Sequence, residues 1–466
     1  MKNDSRPSRT SHLIGIAGAG MRSLAQVLLG RGWRLSGSDL VPGQIDFLIE
    51  AGVRVHRGHA AEHLPEGTNL VVFSDAVPAD NPERQRAAEL GIPSFSYFEL
   101  LGHLMSRRRG IAVAGTHGKS TAAAMAADLL AGAGLDPTVV YGASPLGSPC
   151  GGRAGQGELM LVEACEYRAN FLHLCPQQAV ILGIEPDHFD YYRSARQLER
   201  AFAAFAARVP KEGLVLAAAD CPVTRRVTSG LRCRVETFGL RPDADWSACG
   251  LQGREGRYRL SIVHRGEHLG DVRLRIPGRH NVINALAAAA VASANGVREK
   301  QVCRGLSEFR GLCRRLQTVG DWGGVVFVDD YAHHPTEVAA GLRAVREMYP
   351  GRRLWCVFQP HQASRTEVLL DELAESLQNA DRVVVAEIFR AREGPYRPGE
   401  VTAADLARKV ARAGVEVPEV HAAQEIVRLL ETRLRPGDVV VTMGAGDIGK
   451  VCDGLFERIR EDRAAG

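Results

Sequence analysis

The sequence predicts an α/β protein of three domains: a Rossmann-like N-terminal domain, a central phosphate-loop domain on a mostly parallel sheet, and a Rossmann-like C-terminal domain. Three observations predict it. Short apolar strands alternate with helical stretches along most of the chain. Glycine, 50 of 466 residues, recurs where strands end. A chain of this length asks for two to four domains at roughly 100–200 residues each. The block boundaries fall near residues 109 and 313, giving domains 1–109, 110–313 and 314–466.

In the first block His12–Ala17 reads as a strand, and Gly15, Gly18 and Gly20 form the turn after it. Met21–Arg31 then reads as a helix and Trp33–Ser38 as a second strand, ending at Asp39. Asn69–Ser74 is a later strand. Asn81-Pro82 opens a further helix, with Pro at its first turn.

The second block starts at Gly110. Ile111–Ala114 is a strand, Gly115–Thr121 a polar loop and Ala122–Ala131 a helix. Leu159–Val162 leads into Glu163, and Ala179–Ile184 leads into Asp187-His188. Arg257–Ile276 alternates as a hairpin does, and Val282–Ala294 is helical. In the third block Val325–Val328 runs into Asp329-Asp330-Tyr331. The series continues with Leu354–Phe358, Arg382–Ala386 and Val439–Thr442, each expected to be followed by a helix.

Composition narrows the function classes. Lys and Arg number 58 against 54 Asp and Glu, a net charge of +4, with 45% hydrophobic and 24% charged residues. This excludes disordered, collagenous and membrane chains. No basic block stands out beyond Arg107-Arg108-Arg109, so no nucleic-acid partner is expected. The longest apolar stretch, Ala285–Ala294, is short of the ~18 residues a membrane helix needs. Met1–Ser11 is polar and carries no signal-peptide core, so a cytoplasmic protein is expected, as monomer or homodimer. The ten cysteines form no C-x-x-C pair, which predicts free thiols and no zinc site.

The strongest local signal is Gly115-Thr116-His117-Gly118-Lys119-Ser120-Thr121, set between a strand and a helix. Its glycines let backbone N–H groups curl around phosphate oxygens at a helix N-terminus. Lys119 supplies a full charge for the β- and γ-phosphates, and Ser120 a hydroxyl for Mg²⁺. The loop is shorter than the usual G-x-x-x-x-G-K-[ST], because Val113 stands where that pattern has its first glycine. The N-terminal turn, Gly15-Ile16-Ala17-Gly18-Ala19-Gly20, is G-x-x-G-x-G, with Asp39 placed as a ribose-binding acid would be. Alone it fits NAD, a nucleotide sugar or no ligand.

Glu163 and His188 both follow buried strands, where the carboxyl ends of a parallel sheet line the ligand crevice. With Ser120 they form a candidate cation set. The cluster Asp329-Asp330-Tyr331-Ala332-His333-His334-Pro335 is either a helix N-terminus rich in acids or a loop facing the substrate.

Five segments in order then resemble the Mur ligases. They are Gly115–Ser120; Pro277–Ala285 (PGRHNVINA); Asp329–Glu337 (DDYAHHPTE); Phe358–His361 with Ser364-Arg365-Thr366; and Thr442–Lys450 (TMGAGDIGK). The likeness runs from about residue 12 to about 452, and Phe358–Thr366 is similar to the alanine-adding type. The resemblance implies ATP and Mg²⁺ as cofactors. It also implies L-alanine and UDP-N-acetylmuramate as substrates, joined through an acyl phosphate in a cytoplasmic step of peptidoglycan synthesis. It makes the first domain the nucleotide-sugar domain, the second the ATP domain and the third the amino-acid domain.

By position the resemblance makes Ser120, Glu163 and His188 metal ligands. It makes Gly115, Thr116, His117, Gly118, Lys119, Ser120, Thr121, Asn281 and Asn284 nucleotide contacts. Gly18, Gly20, Met21, Asp39, Tyr331 and His333 become substrate contacts, and Lys119, His188, His334 and Arg365 catalytic groups. His333 or His334 is the candidate base for the amine.

The sequence departs from the family at several points. The usual E-A-D-E-S-D is Glu163-Ala164-Cys165-Glu166-Tyr167-Arg168 here, and Leu182-Gly183 replaces Thr-Asn. H-R-Y-S-R-T is His361-Gln362-Ala363-Ser364-Arg365-Thr366. Ala17 and Arg22 stand where Gly and Ser are usual. Related ligases carry a carbamylated lysine after the histidine, but Phe189–Pro210 contains no lysine.

Overall fold

The computed structural model describes residues 9–41, 43–391, 393–418 and 422–455. The outer limits expected for the first and third domains, residues 1 and 466, lie outside them. Among the described residues the strands form three sheets.

The first sheet holds β1 (Thr10–Ile14), β2 (Arg34–Asp39), β3 (Arg54–Arg57), β4 (Leu70–Phe73) and β5 (Ser94–Ser96). Their order is β3-β2-β1-β4-β5, and every pair is parallel. The strand order reverses beside β1, so the crevice of this doubly wound sheet opens where the glycine turn leaves β1. That strand ends at Ile14 rather than Ala17, and the helix after the turn starts at Ala19, two residues earlier than expected. Asn81 caps the helix Pro82–Glu89 as its sequence suggests, its side chain accepting from Glu83 N and Arg84 N.

The central sheet holds β6 (Arg109–Ala114), β7 (Thr138–Tyr141), β8 (Gly151–Arg153), β9 (Leu159–Glu163), β10 (Gln178–Ile181), β11 (Leu214–Ala218), β12 (Arg234–Phe238), β13 (Trp246–Arg254), β14 (Arg257–His264) and β15 (Glu267–Arg273). The order is β15-β14-β13-β12-β11-β10-β6-β9-β7-β8. Parallel strands from β13 to β7 carry the phosphate loop near their middle. The hairpin expected over Arg257–Ile276 is β14 and β15, and β13 extends it as a third antiparallel strand. The alanine-rich helix, His280–Ala294, is buried along most of its length. It packs on the phosphate-loop helix Lys119–Gly132, whose alanines allow close approach.

The third sheet holds β16 (Gln317–Trp322), β17 (Val325–Asp330), β18 (Leu354–Phe358), β19 (Arg382–Val385) and β20 (Val439–Met443). Its order is β16-β17-β20-β18-β19, parallel except for β16. Val, Phe and Trp fill these strands on both faces, as a sheet covered by helices on each side requires. No described helix is long and apolar enough to cross a membrane.

Candidate active site

The phosphate loop follows β6 directly. Gly118 has a φ of +77°, and a Cβ there would come within 2.5 Å of Asn284 Oδ1, so glycine is needed for conformation and space alike. Thr116 ties the loop to the end of β10: its N–H donates to Gly183 O at 2.8 Å and its hydroxyl to Glu185 O at 3.1 Å. Lys119 folds back over the loop, Nζ donating to Gly115 O at 2.6 Å and Thr116 O at 3.0 Å. It also pairs with Glu166, Oε2 lying 2.9 Å away. Burial disfavours the ammonium, but Glu166 outweighs this and holds its pKa above the ordinary lysine value.

Ser120 donates to Glu163, its Oγ lying 2.9 Å from both carboxylate oxygens. Gly142 N–H donates to Glu163 Oε2 at 2.8 Å. His188 sits apart from this pair. Its Nε2 is 3.6 Å from Glu166 Oε1, and its ring lies 5.0 Å from Tyr167. The expected trio Ser120, Glu163 and His188 thus divides into Ser120–Glu163 and Glu166–His188, with Lys119 on the second carboxylate. Ligand atoms of Cys165, Glu166 and His188 all lie within 4.8 Å of one another.

Two carboxylates, a hydroxyl and one imidazole suit a hard divalent cation. Glu166 Oε2 is buried and is met by Lys119 Nζ at 2.9 Å, so a cation could take this oxygen once the lysine turned to a phosphate. Glu166 was not among the expected ligands. The stretch Glu163-Ala164-Cys165-Glu166 contains the signal, but its spacing does not say which acid faces the lysine.

Two cavities meet at the loop. One is lined by His117, Gly118, Thr121, Asn281, Asn284 and Asp330 among others. Asn281 and Asn284 hydrogen-bond to each other at 2.9 Å along its wall, as a nucleotide-facing pair would. The other, larger one is lined by Ala19, Arg22, Ser120, Glu163, Arg315 and Tyr331 among others. Residues of all three sheets' domains therefore converge on Ser120. Tyr331 is held between Arg314 and Arg315, whose guanidinium carbons lie 5.1 and 5.0 Å from its ring centroid.

The N-terminal turn differs from expectation in two details. Asp39, expected on a ribose, closes the turn instead. Its Oδ2 accepts from Ala17 N at 2.9 Å and its Oδ1 from Val41 N at 3.1 Å. The Met21 side chain is buried in the first domain's core, leaving only its backbone for a ligand. Gly18 is the N-cap of Ala19–Gly30 without a side-chain cap, and Gly20 lies against the Tyr97 hydroxyl.

The third domain reaches the loop through the cluster after β17. His117 is bracketed by carboxylates, Nδ1 at 2.9 Å from Glu337 Oε1 and Nε2 at 3.3 Å from Glu185 Oε2. Burial opposes its charge, yet the two carboxylates raise its pKa to about 9. His334 caps the helix Pro335–Met348. Its Nδ1 accepts from Thr336 N at 3.3 Å, so its Nε2 carries the proton and donates to Pro186 O at 3.3 Å. Both nitrogens are committed, so His334 has no lone pair for an amine.

His333 is the opposite case. Its Nδ1 donates to Tyr331 O at 2.9 Å, which leaves Nε2 as the acceptor. Burial, reinforced by Arg365, lowers its pKa to about 3 and keeps it neutral. Arg365 is buried and donates to Asp187 Oδ2 at 2.7 Å. Glu185, Asp187 and Glu337 were not among the expected site residues. The first two precede His188, and Glu337 stands three residues after His334, the spacing of a capping box.

Comparison with known proteins agrees with this geometry. Residues 10–109 match the family profile described as Mur ligase family, catalytic domain. Residues 113–292 match the Mur ligase middle domain, and residues 314–446 the Mur ligase, glutamate ligase domain. The chain is 39% identical over 460 residues to the UDP-N-acetylmuramate–L-alanine ligase of Salinibacter ruber, covering 97% of this chain and 96% of the relative. It is 41% identical over 449 residues to that of Desulfitobacterium hafniense, covering 95% and 98%.

Among solved structures, the UDP-N-acetylmuramate–alanine ligase of Thermotoga maritima superposes with a TM-score of 0.83 at 25% identity, covering 97% of this chain and 99% of that one. A murein peptide ligase of Psychrobacter arcticus gives 0.73 at 25% identity, with the same coverage. Matched by family profiles in all three domains and by relatives along almost its whole length, the chain belongs to the Mur ligase family.

Proposed function

We propose that this protein joins L-alanine to the lactyl carboxylate of UDP-N-acetylmuramate, coupled to conversion of ATP to ADP and phosphate. One observation carries the reading: a phosphate loop set between two cavities, one walled by paired asparagines and the other open to the first domain's glycine turn. The relatives at 39–41% identity supply the substrate names. We assign residues 1–109 to the nucleotide sugar, 110–313 to ATP and 314–466 to the amino acid.

A carboxylate is a poor acyl donor until it takes up a phosphoryl group. Backbone N–H groups of Gly115–Thr121 would hold the phosphates, and Lys119 would turn from Glu166 and its own loop to the transferring group. Ser120, Glu163, Glu166 and His188 would hold a divalent cation, which offsets charge between the phosphates and the attacking carboxylate. The amine then displaces phosphate from the acyl carbon: the C–N bond forms, the C–O bond breaks, phosphate leaves with the electron pair, and the proton that the nitrogen loses ends on the released phosphate. His333 Nε2 would accept a hydrogen bond from the amine and orient it. Arg365 would face the negatively charged end of the reaction.

The test is phosphate release with UDP-N-acetylmuramate, ATP, Mg²⁺ and a panel of amino acids, using substrate labelled with heavy oxygen in its carboxylate. Label appearing in phosphate, with alanine preferred over serine and glycine, is the expected result. Turnover with a tripeptide but not with alanine would replace this reading by peptide recycling. Nucleotide binding without turnover would leave a sensor of the same fold.

A further inference from the structure

Arg22 stands in the first turn of the helix Ala19–Gly30, which follows the glycine turn. Packing fixes that helix against the second domain. Ser23 Oγ donates to Tyr141 O at 2.8 Å, and a Cβ on Gly152 would fall 2.0 Å from Ser23 O. The guanidinium is thereby held in the wall of the larger cleft, 9% exposed. Its Nη1 donates to Gln44 O at 3.0 Å and Gln44 Oε1 at 2.8 Å, both neutral acceptors. Its Nε is buried and has no hydrogen-bond partner. Burial pulls its pKa below the ordinary arginine value.

A desolvated cation satisfied only by an amide and a carbonyl is costly to fold around, and a bound anion would relieve it. Serine, usual at this position in the family, brings no such charge. We propose that Arg22 is a binding residue for the diphosphate of the nucleotide-sugar substrate, its guanidinium taking a phosphate oxygen beside the N-terminus of Ala19–Gly30. The proposal rests on the substrate reading above.

Three features favour phosphate over the lactyl carboxylate, the other anion of that substrate. Arg22 belongs to the first domain, on the helix that leaves the glycine turn. The N-cap of that helix is a glycine without a side-chain cap, which leaves its first N–H groups and dipole to a phosphate. The reacting end of the cleft is marked instead by Ser120 and Glu163, on the second domain. A planar guanidinium also suits phosphate oxygens.

Calorimetric titration of Arg22→Ser and Arg22→Lys with UDP, uridine, UDP-N-acetylglucosamine and UDP-N-acetylmuramate tests it. Arg22→Ser is expected to weaken UDP by about 10- to 100-fold, the worth of a charge-assisted hydrogen bond, and uridine by less than about twofold. The KM for the nucleotide sugar should rise by a like factor, with kcat and the KM for ATP within about threefold, because the contact is the same before and during reaction. Arg22→Lys, which keeps the charge, should recover part of the UDP affinity and leave uridine binding intact.

Unchanged UDP affinity in Arg22→Ser would overturn the proposal. So would a loss confined to the lactyl-bearing sugar, which would move the contact to the carboxylate. Equal losses of uridine and UDP in both variants would make Arg22 a structural residue and overturn it as well. Wild-type protein that bound neither UDP nor uridine would instead overturn the functional reading itself.

Discussion

Arg365 and Asp187 meet across the boundary between the third and second domains, Nη2 to Oδ2 at 2.7 Å, with side chains 7% and 8% exposed. Asp187 also takes the N–H of His188 on Oδ1 at 2.7 Å. Docking of the third domain is therefore linked through one carboxylate to a residue of the candidate cation site. Asp187→Asn keeps the shape but leaves a buried guanidinium uncompensated, a change worth about 3–5 kcal/mol where such pairs are broken. The expected outcome is a fall in kcat of about 100-fold with easier proteolysis between the domains. Steady-state kinetics and limited proteolysis check it, and a wild-type kcat would remove the pair from the mechanism.

Lys119→Ala should cut turnover by about 1000-fold, the scale for losing a charge aimed at the reacting group. Nucleotide-sugar affinity should stay within a few-fold, because the wall of that cleft at Ala19 and Arg22 belongs to another domain. Single-turnover rates and calorimetry separate the two effects. An unchanged rate would mean that Lys119 serves only to neutralise Glu166.

The phosphate loop was legible in the sequence because its residue types are required locally. Glycine is needed at Gly118 whatever surrounds it, and a lysine and a serine at a helix N-terminus declare a phosphate site. Twelve of the twenty described strands were legible from apolar runs or alternation, and β3, β5, β7, β8, β11, β12, β13 and β16 were not. In β13, Trp246–Arg254 carries two glycines and little alternation. The partners of the loop were not legible. Glu166 meets Lys119 from the N-cap of a short irregular segment, Tyr167–His173, in which Arg168 and Ala169 adopt left-handed backbone, φ +52° and +56°, a conformation that side-chain pattern does not announce. Glu337 lies 220 residues from His117, and only the folded chain brings them together. The sequence offers His333 or His334 as the base for the amine, and the proline and Glu337 that follow His334 are the signs that it caps a helix.

His117 makes the interdomain contact pH-dependent. Its pKa rises from an ordinary 6.5 to about 9 in the folded protein, so its contribution is fully present below about 6.5 and is lost as pH climbs through about 9. Glu185, lowered from 4.5 to about 2 chiefly by its hydrogen bond to His117, acts in the other direction and is lost only as pH falls through about 2. Glu337 is likewise held well below its ordinary value, and burial pulls His334 below the ordinary histidine value. Amide exchange in the helix Pro335–Met348 should therefore be slowest near pH 5–6 after correction for intrinsic rates, and should quicken toward pH 9.5. His117→Gln should flatten that rise. A rise of the same steepness in the variant would assign the pH response to other groups.

Cys165 occupies the position where the family usually has an aspartate, yet it should be a poor nucleophile. Burial first, then the charge of Glu166, push its thiol up to about 12, and Lys119 offsets this only in part. At pH 8 the thiolate fraction would be on the order of one in ten thousand. Iodoacetamide should then label exposed Cys249 well before Cys165, as read by peptide mass spectrometry over time. Glu166→Gln removes the carboxylate that raises the thiol and leaves Lys119 facing it, so labelling of Cys165 should quicken in that variant. Labelling of Cys165 at the rate of Cys249 in the unmodified protein would show that the thiol is not held neutral, and that Lys119 is shared with it rather than committed to Glu166.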